Sequence, residues 1–119
     1  MAQTNVLVVE DESIVSKDIQ QSLKKLGYNV VGAASTGENA VALALEAKPD
    51  IILMDIMLKG EMNGIEAATR IRAEANIPVI FLTAYADEST LSKAKVTQPY
   101  GYIIKPFKEI DIHTSIEMA

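Results

Sequence analysis

Residues 49–60 read PDIILMDIMLKG. Ile51, Ile52, Leu53 and Met54 form a short, continuous apolar run, which reads as a strand buried on both faces. Asp55 follows directly, and Ile56, Met57 and Leu58 come after it. A carboxylate between two apolar segments is costly to bury unless it is paired or bound to a cation. The stretch therefore raises two questions: which sheet buries the strand, and what stands beside its charge.

Working outward, strand-like runs alternate with amphipathic ones. Asn5–Val9 (NVLVV) reads as a strand. Ile14, Val15, Ile19, Leu23 and Leu26 then recur at helical spacing, and Gly27 stops that helix. Tyr28–Ala34 is a weaker strand. Ser35 or Thr36 caps a second helix with Ala40, Val41, Ala44 and Leu45 on its apolar side. After the opening stretch, residues 63–75 form a third helix with Ile65, Ala68 and Ile71 inward. Pro78 introduces a fourth strand, Val79–Leu82. A fourth helix covers Asp87–Val96, with Asp87 and Glu88 favourable at its positive end. Tyr100–Ile104 is a fifth strand and Phe107–Met118 a fifth helix. Five βα units with strands too far apart for hairpins imply one parallel sheet with helices on both faces. No linker, repeat or low-complexity tract interrupts residues 1–119, which read as a single domain without an output domain.

Composition narrows the function. The 119 residues are 49% hydrophobic, enough for one real core. With no Cys, disulfide scaffolds and thiolate metal sites are excluded. One His, His113, rules out a multi-histidine zinc site and reads as a surface or dipole-favoured residue of the last helix. Lys24 and Lys25 read as a solvated helix end. No apolar run approaches the ~20 residues of a membrane span, and MAQTNVLVVE lacks signal-peptide features, so a cytoplasmic protein is expected. The net charge of −5 argues against nonspecific nucleic-acid binding.

In parallel sheets of this kind, sites form beyond the carboxyl ends of the strands. Glu10, Asp11 and Glu12 follow the first strand, Asp55 the third, Thr83, Ala84 and Tyr85 the fourth, and Lys105, Pro106 and Phe107 the fifth. Glu12 reads as a helix N-cap or a solvated loop residue. Glu10, Asp11 and Asp55 would crowd together and repel, and a hard divalent cation is the natural remedy. Oxygen donors alone suit Mg²⁺ or Mn²⁺. Lys105 and Thr83 are complementary donors for an anion beside that metal, which makes the ensemble look like a phosphoryl-transfer site.

VLVVEDE (6–12), ILMDIML (52–58), VIFLTAYA (79–86) and YGYIIKPF (100–107) together resemble the receiver domain of two-component response regulators. The resemblance spans essentially the whole chain. It implies a flavodoxin-like fold with strand order 2-1-3-4-5, Mg²⁺ dependence and phosphorylation of an aspartate. By motif, Asp55 resembles the phospho-acceptor. Glu10, Asp11, Asp55 and the backbone carbonyl of Met57 resemble the metal ligands. Lys105, Thr83 and the backbone of Ala84 would contact the phosphoryl group. Tyr102 resembles the switch aromatic, and Lys105–Pro106 a bond that is usually cis in the family. Met57 and Tyr85 would flank the path of the hydrolytic water and slow dephosphorylation.

Two features depart from the family pattern. Glu10 stands where Asp is commoner, and IMLKGEMNG lacks a Met-Pro step and is one residue longer before Gly64.

The resemblance further implies a histidine kinase or phosphotransfer protein as donor. A downstream target or output domain would read a face made by the fourth helix, fifth strand and fifth helix, through which a homodimer could form. It implies neither membrane nor nucleic acid as a direct partner. Two other classes fit parts of the sequence. An aspartate-nucleophile phosphohydrolase of the haloacid-dehalogenase type would want a second Asp at position 57, where Met57 stands. An interaction module independent of phosphorylation would have no need of Asp55, Thr83 and Lys105.

Overall fold

β3 (Ile51–Asp55) is the central strand of a five-stranded parallel sheet in the order β2-β1-β3-β4-β5. Its neighbours are β1 (Asn5–Val9) and β4 (Val79–Thr83); β2 (Asn29–Ala34) and β5 (Gly101–Ile104) form the edges. The computed structural model describes residues 4–58, 60–83, 101–104 and 108–118. The expected helix at Asp87–Val96 falls outside the described residues.

Strand periodicity divides the core. On β1, β3 and β4, Leu7, Val9, Ile52, Met54, Val79 and Phe81 point to one face. There they meet Ala40 and Ala44 of α2 (Gly37–Ala47) and Ala67, Ala68 and Ile71 of α3 (Gly64–Glu74). The alternate residues Val6, Val8, Ile51, Leu53, Ile80 and Leu82 point the other way. They pack against Ile19 and Leu23 of α1 (Ser13–Lys25) and Ile112 and Ile116 of α4 (Glu109–Met118). Side chains alternate across a strand, so a run that is apolar at every position needs a cover on both faces. Each fully buried Leu, Ile or Phe adds roughly 1.5–3 kcal/mol to the preference for this arrangement.

The helix ends follow local chemistry. α1 stops at Gly27, which takes φ 92° and donates its N–H to Lys24 O at 3.1 Å. Of the two cap candidates before α2, Thr36 is used: its hydroxyl oxygen accepts the Asn39 N–H at 3.2 Å. Glu12 is the N-cap residue of α1 by backbone, but its side chain makes no capping hydrogen bond. α3 begins with a reciprocal capping box, in which Asn63 Oδ1 accepts the Glu66 N–H at 2.9 Å and Glu66 Oε1 accepts the Asn63 N–H at 3.1 Å.

His113 departs from the surface placement expected of it. It is half-buried, and its Nδ1 is hydrogen-bonded at 3.0 Å to the hydroxyl of Tyr28. A side chain 85 positions away supplies the partner, so spacing along the helix gave no sign of it. Lys24 and Lys25 are exposed in the last turn of α1, as expected.

Candidate functional site

Three strand ends converge. Asp55 closes β3 and is only 4% exposed; Thr83 closes β4 at 1%; Glu10, directly after β1, is at 2%. Asp11 beside it is half-buried. Register produces the convergence: Val9 lies opposite Met54 on β3, and Asp55 lies opposite Leu82 on β4. The residues that continue these strands therefore meet at one edge of the sheet.

The backbone around Asp55 is held on two sides. Ile56 N–H donates to Leu82 O at 3.1 Å, which extends the sheet by one bond beyond β3. Gly64 N–H, the first of α3, donates to Ile56 O at 2.9 Å. The Asp55 carboxylate accepts the Met57 N–H through Oδ1 at 3.1 Å. Glu10 N–H donates to Ala34 O at 3.0 Å, and the Glu10 carboxylate accepts the Asp11 N–H through Oε2 at 3.0 Å.

Glu10, Asp11 and Asp55 each offer a carboxylate oxygen, and these oxygens all lie within 4.8 Å of one another. Two of the three residues are almost completely buried, where Coulomb repulsion between like charges is screened least. An oxygen-only donor set of this size fits a hard divalent cation such as Mg²⁺, which binds through one or two carboxylates and keeps several waters. The extra methylene of Glu10 leaves its carboxylate within the group.

Tyr102 lies on β5 opposite Phe81, with the rings 6.2 Å apart and stacked. Its hydroxyl is buried and has no hydrogen-bond partner among the described residues, and burial raises the phenol's pKa above its ordinary value of 10.0. Thr83 lies opposite Ile104 on the same pair of strands. Ala84, Tyr85, Lys105 and Pro106, four residues expected at the site, fall outside the described residues. Met57 is 63% exposed beside Asp55.

Gly64 escaped the reading of the sequence as a site residue. A Cβ there would overlap the carbonyl oxygen of Asp55 and lie 2.9 Å from both the Asp55 carbonyl carbon and Ile56 Cα. The Asn63-x-x-Glu66 capping signature marks where α3 starts. Nothing in the sequence marks how closely that start approaches β3.

A doubly wound parallel sheet with acidic groups clustered at its carboxyl edge defines a class of α/β signalling and ligand-binding domains. Within that class the chain belongs to the response regulator receiver domain family, whose model matches residues 6–117. It is 35% identical over 114 residues to the transcriptional regulatory protein PdtaR of Mycobacterium tuberculosis, covering 96% of this chain and 55% of PdtaR. The chain spans about half the length of the curated relatives it matches.

Among solved structures, it is similar to the signal receiver domain of a modulated diguanylate cyclase from Desulfovibrio desulfuricans G20. That match has TM-score 0.93 and 42% identity, covering 99% of this chain and 94% of the other. It is also similar to the CheX-CheY-BeF3-Mg+2 complex from Borrelia burgdorferi, with TM-score 0.88 and 26% identity, covering 95% of this chain and 86% of that one. The fold is flavodoxin-like, and the chain is a receiver domain of two-component signalling. No helix among the described residues is long and apolar enough to cross a membrane.

Proposed function

We propose that Asp55 accepts a phosphoryl group from a phosphohistidine on a sensor histidine kinase or phosphotransfer protein, in a Mg²⁺-dependent reaction. The observation that carries this reading is the buried Asp55 carboxylate, grouped with Glu10 and Asp11 at the strand ends where β4 also ends in Thr83. An Asp55 carboxylate oxygen attacks phosphorus while the phosphorus–nitrogen bond of the donor breaks. The electron pair of that bond leaves with the imidazole. Asp55 is aimed for this attack by the Met57 N–H on its Oδ1 and by a backbone fixed between β4 and α3. Catalysis is then mainly positioning and electrostatics.

Mg²⁺ (or Mn²⁺), held by Glu10, Asp11, Asp55 and the Met57 carbonyl, would offset charge on the phosphoryl oxygens. Thr83 would donate its hydroxyl to the phosphoryl group, alongside the Ala84 backbone and Lys105. The new charge of about −2 biases a two-state switch. Its readout face includes β5 and α4, where Ile104 and Ile110 are exposed. A downstream target, an output domain or a second copy would dock there, and the domain would work in the cytoplasm.

The test is incubation with acetyl phosphate and Mg²⁺, read by intact mass. Wild type gains one phosphoryl group and Asp55→Asn gains none; absence of label on wild type, or equal labelling of both, removes the reading.

A further inference from the structure

The first residue of α3 touches the peptide group of the proposed phospho-acceptor. Gly64 is buried, and the Cβ of any other residue would overlap the Asp55 carbonyl oxygen. Its N–H holds Ile56 O at 2.9 Å, so the contact is both a bond and a close approach. Close approach, not a left-handed backbone, is what demands glycine here, because Gly64 is not among the positive-φ residues. Behind it, the Asn63–Glu66 capping box fixes the entry of the helix. Met62, next in line, is pressed against Gly37 at the start of α2. A chain of close contacts therefore leads from α2 through Met62 and Asn63 to the backbone of Asp55.

We propose that Gly64 is a positioning residue for the chemistry of Asp55, acting through the Asp55–Ile56 peptide. The proposal rests on the reading of Asp55 as acceptor. A side chain at position 64 must push β3's last peptide away from α3, and the carboxylate moves with it. Misplacing a reacting group by as little as ~1 Å can cost up to ~100-fold in rate, so a partial shift should cost about tenfold or more. The same shift moves one of three carboxylates out of the cation-binding group.

A merely structural role would lower stability and leave the folded protein's chemistry intact. The test compares wild type, Gly64→Ala, Asn63→Ala and Gly27→Ala at a temperature where circular dichroism shows each to be folded. Gly27→Ala is the control: it strains a left-handed position at the end of α1 and should label at the wild-type rate. Two quantities are measured, the maximal rate of labelling by acetyl phosphate at saturating Mg²⁺ and the Mg²⁺ affinity of the unphosphorylated protein by calorimetry.

Gly64→Ala should fall about tenfold or more in rate and lose Mg²⁺ affinity. If that variant does not fold, Asn63→Ala, which adds no atom near Asp55, should still lower the rate severalfold. Folded Gly64→Ala with wild-type rate and affinity, or an unfolded Gly64→Ala beside an unaffected Asn63→Ala, overturns the proposal. If wild type takes no label, the acceptor reading falls, and the positioning role is decided by Mg²⁺ affinity alone: weakened binding sustains it, unchanged binding ends it.

Discussion

Tyr102 and Phe81 face each other across β5 and β4, their rings 6.2 Å apart at 26°, and the tyrosine's hydroxyl is buried without a hydrogen-bond partner among the described residues. The ring gains from stacking, while the hydroxyl loses its water. An unsatisfied buried hydroxyl costs ~1–3 kcal/mol, so Tyr102→Phe should raise stability by up to about 1 kcal/mol in urea unfolding, whereas Tyr102→Ala should lower it by about 3 kcal/mol. Burial raises the phenol's pKa above 10.0, so the fold favours the neutral form. That contribution is complete below pH 10 and is lost as pH climbs through the raised value. Tyr102→Phe should therefore flatten the alkaline limb of the stability curve. A variant less stable than wild type would show that the hydroxyl has a partner in solution.

Tyr28 and His113 tie the start of β2 to α4 on the face away from α2 and α3. Tyr28→Phe removes that hydrogen bond, at a cost of about 1 kcal/mol in denaturant unfolding near neutral pH. The Tyr28 pKa is raised by burial first and then by the Glu117 carboxylate and its hydrogen bond. Its stabilisation is likewise present below pH 10 and fades above it, so the gap between wild type and Tyr28→Phe should narrow in alkali. The labelling rate of Asp55 should not change, since Tyr28 belongs to the cluster of Val6 and Ile51 at the start of the parallel strands, the end of the sheet away from Asp55.

Gly37 and Met62 join α2 to the segment after Asp55. A Cβ on Gly37 would lie 2.7 Å from Met62 O and 2.9 Å from Met62 Cβ and Cγ. Gly37→Ala should cost about 1–3 kcal/mol through overpacking. Met62→Ala removes part of the obstacle, so the double variant should be more stable than additivity demands by about 0.5 kcal/mol or more. Strict additivity in urea unfolding would mean that the two elements do not press on each other.

Most of the fold could be read from the sequence because its central strands carry unbroken apolar runs, Val6–Val9, Ile51–Met54 and Val79–Leu82, a pattern that suits a sheet covered on both faces. Element ends were placed within a residue or two wherever a Gly, Pro or capping residue marked them, as at Gly27, Thr36 and Asn63. The grouping of Glu10, Asp11 and Asp55 was legible because Asp55 ends β3, Glu10 and Asp11 follow β1 directly, and parallel strands bring their ends together. Contacts between distant segments carry no such periodic signature. Gly64 against Asp55, Gly37 against Met62 and Tyr28 against His113 depend on how helices settle on the sheet. The unusual segment after Asp55 is an instance: its length was plain, but its bracing by α2 emerges only once Met62 is seen against Gly37.

Met57 adjoins Asp55, donates its N–H to the carboxylate and leaves its side chain 63% exposed. If the phosphoryl group sits on Asp55, an apolar side chain at 57 hinders the water that would hydrolyse it. Met57→Asn should lose phosphate faster than wild type after donor is removed, followed by intact mass over time. Equal decay of the two would remove the shielding role of Met57.

The carboxylate group predicts a response to metal that needs no phosphoryl donor. The folded chain holds carboxylate oxygens of Glu10, Asp11 and Asp55 within 4.8 Å of one another, and the unfolded chain separates them. A cation that binds only the folded state stabilises it by RT ln(1 + [L]/Kd), about 2.7 kcal/mol at a concentration 100 times Kd. Mg²⁺ should raise the thermal midpoint of wild type, and a chelator should reverse the rise. For a domain of this size, about 1 kcal/mol corresponds to a shift of roughly 3–6 °C. Asp11→Asn removes one charge without removing the oxygen, so its Mg²⁺-induced shift should be smaller than that of wild type at the same concentration. Glu10→Gln should behave similarly, because its carboxylate lies within the same 4.8 Å group. A wild-type midpoint that does not respond to Mg²⁺ up to millimolar concentrations would exclude these three residues as a working metal site.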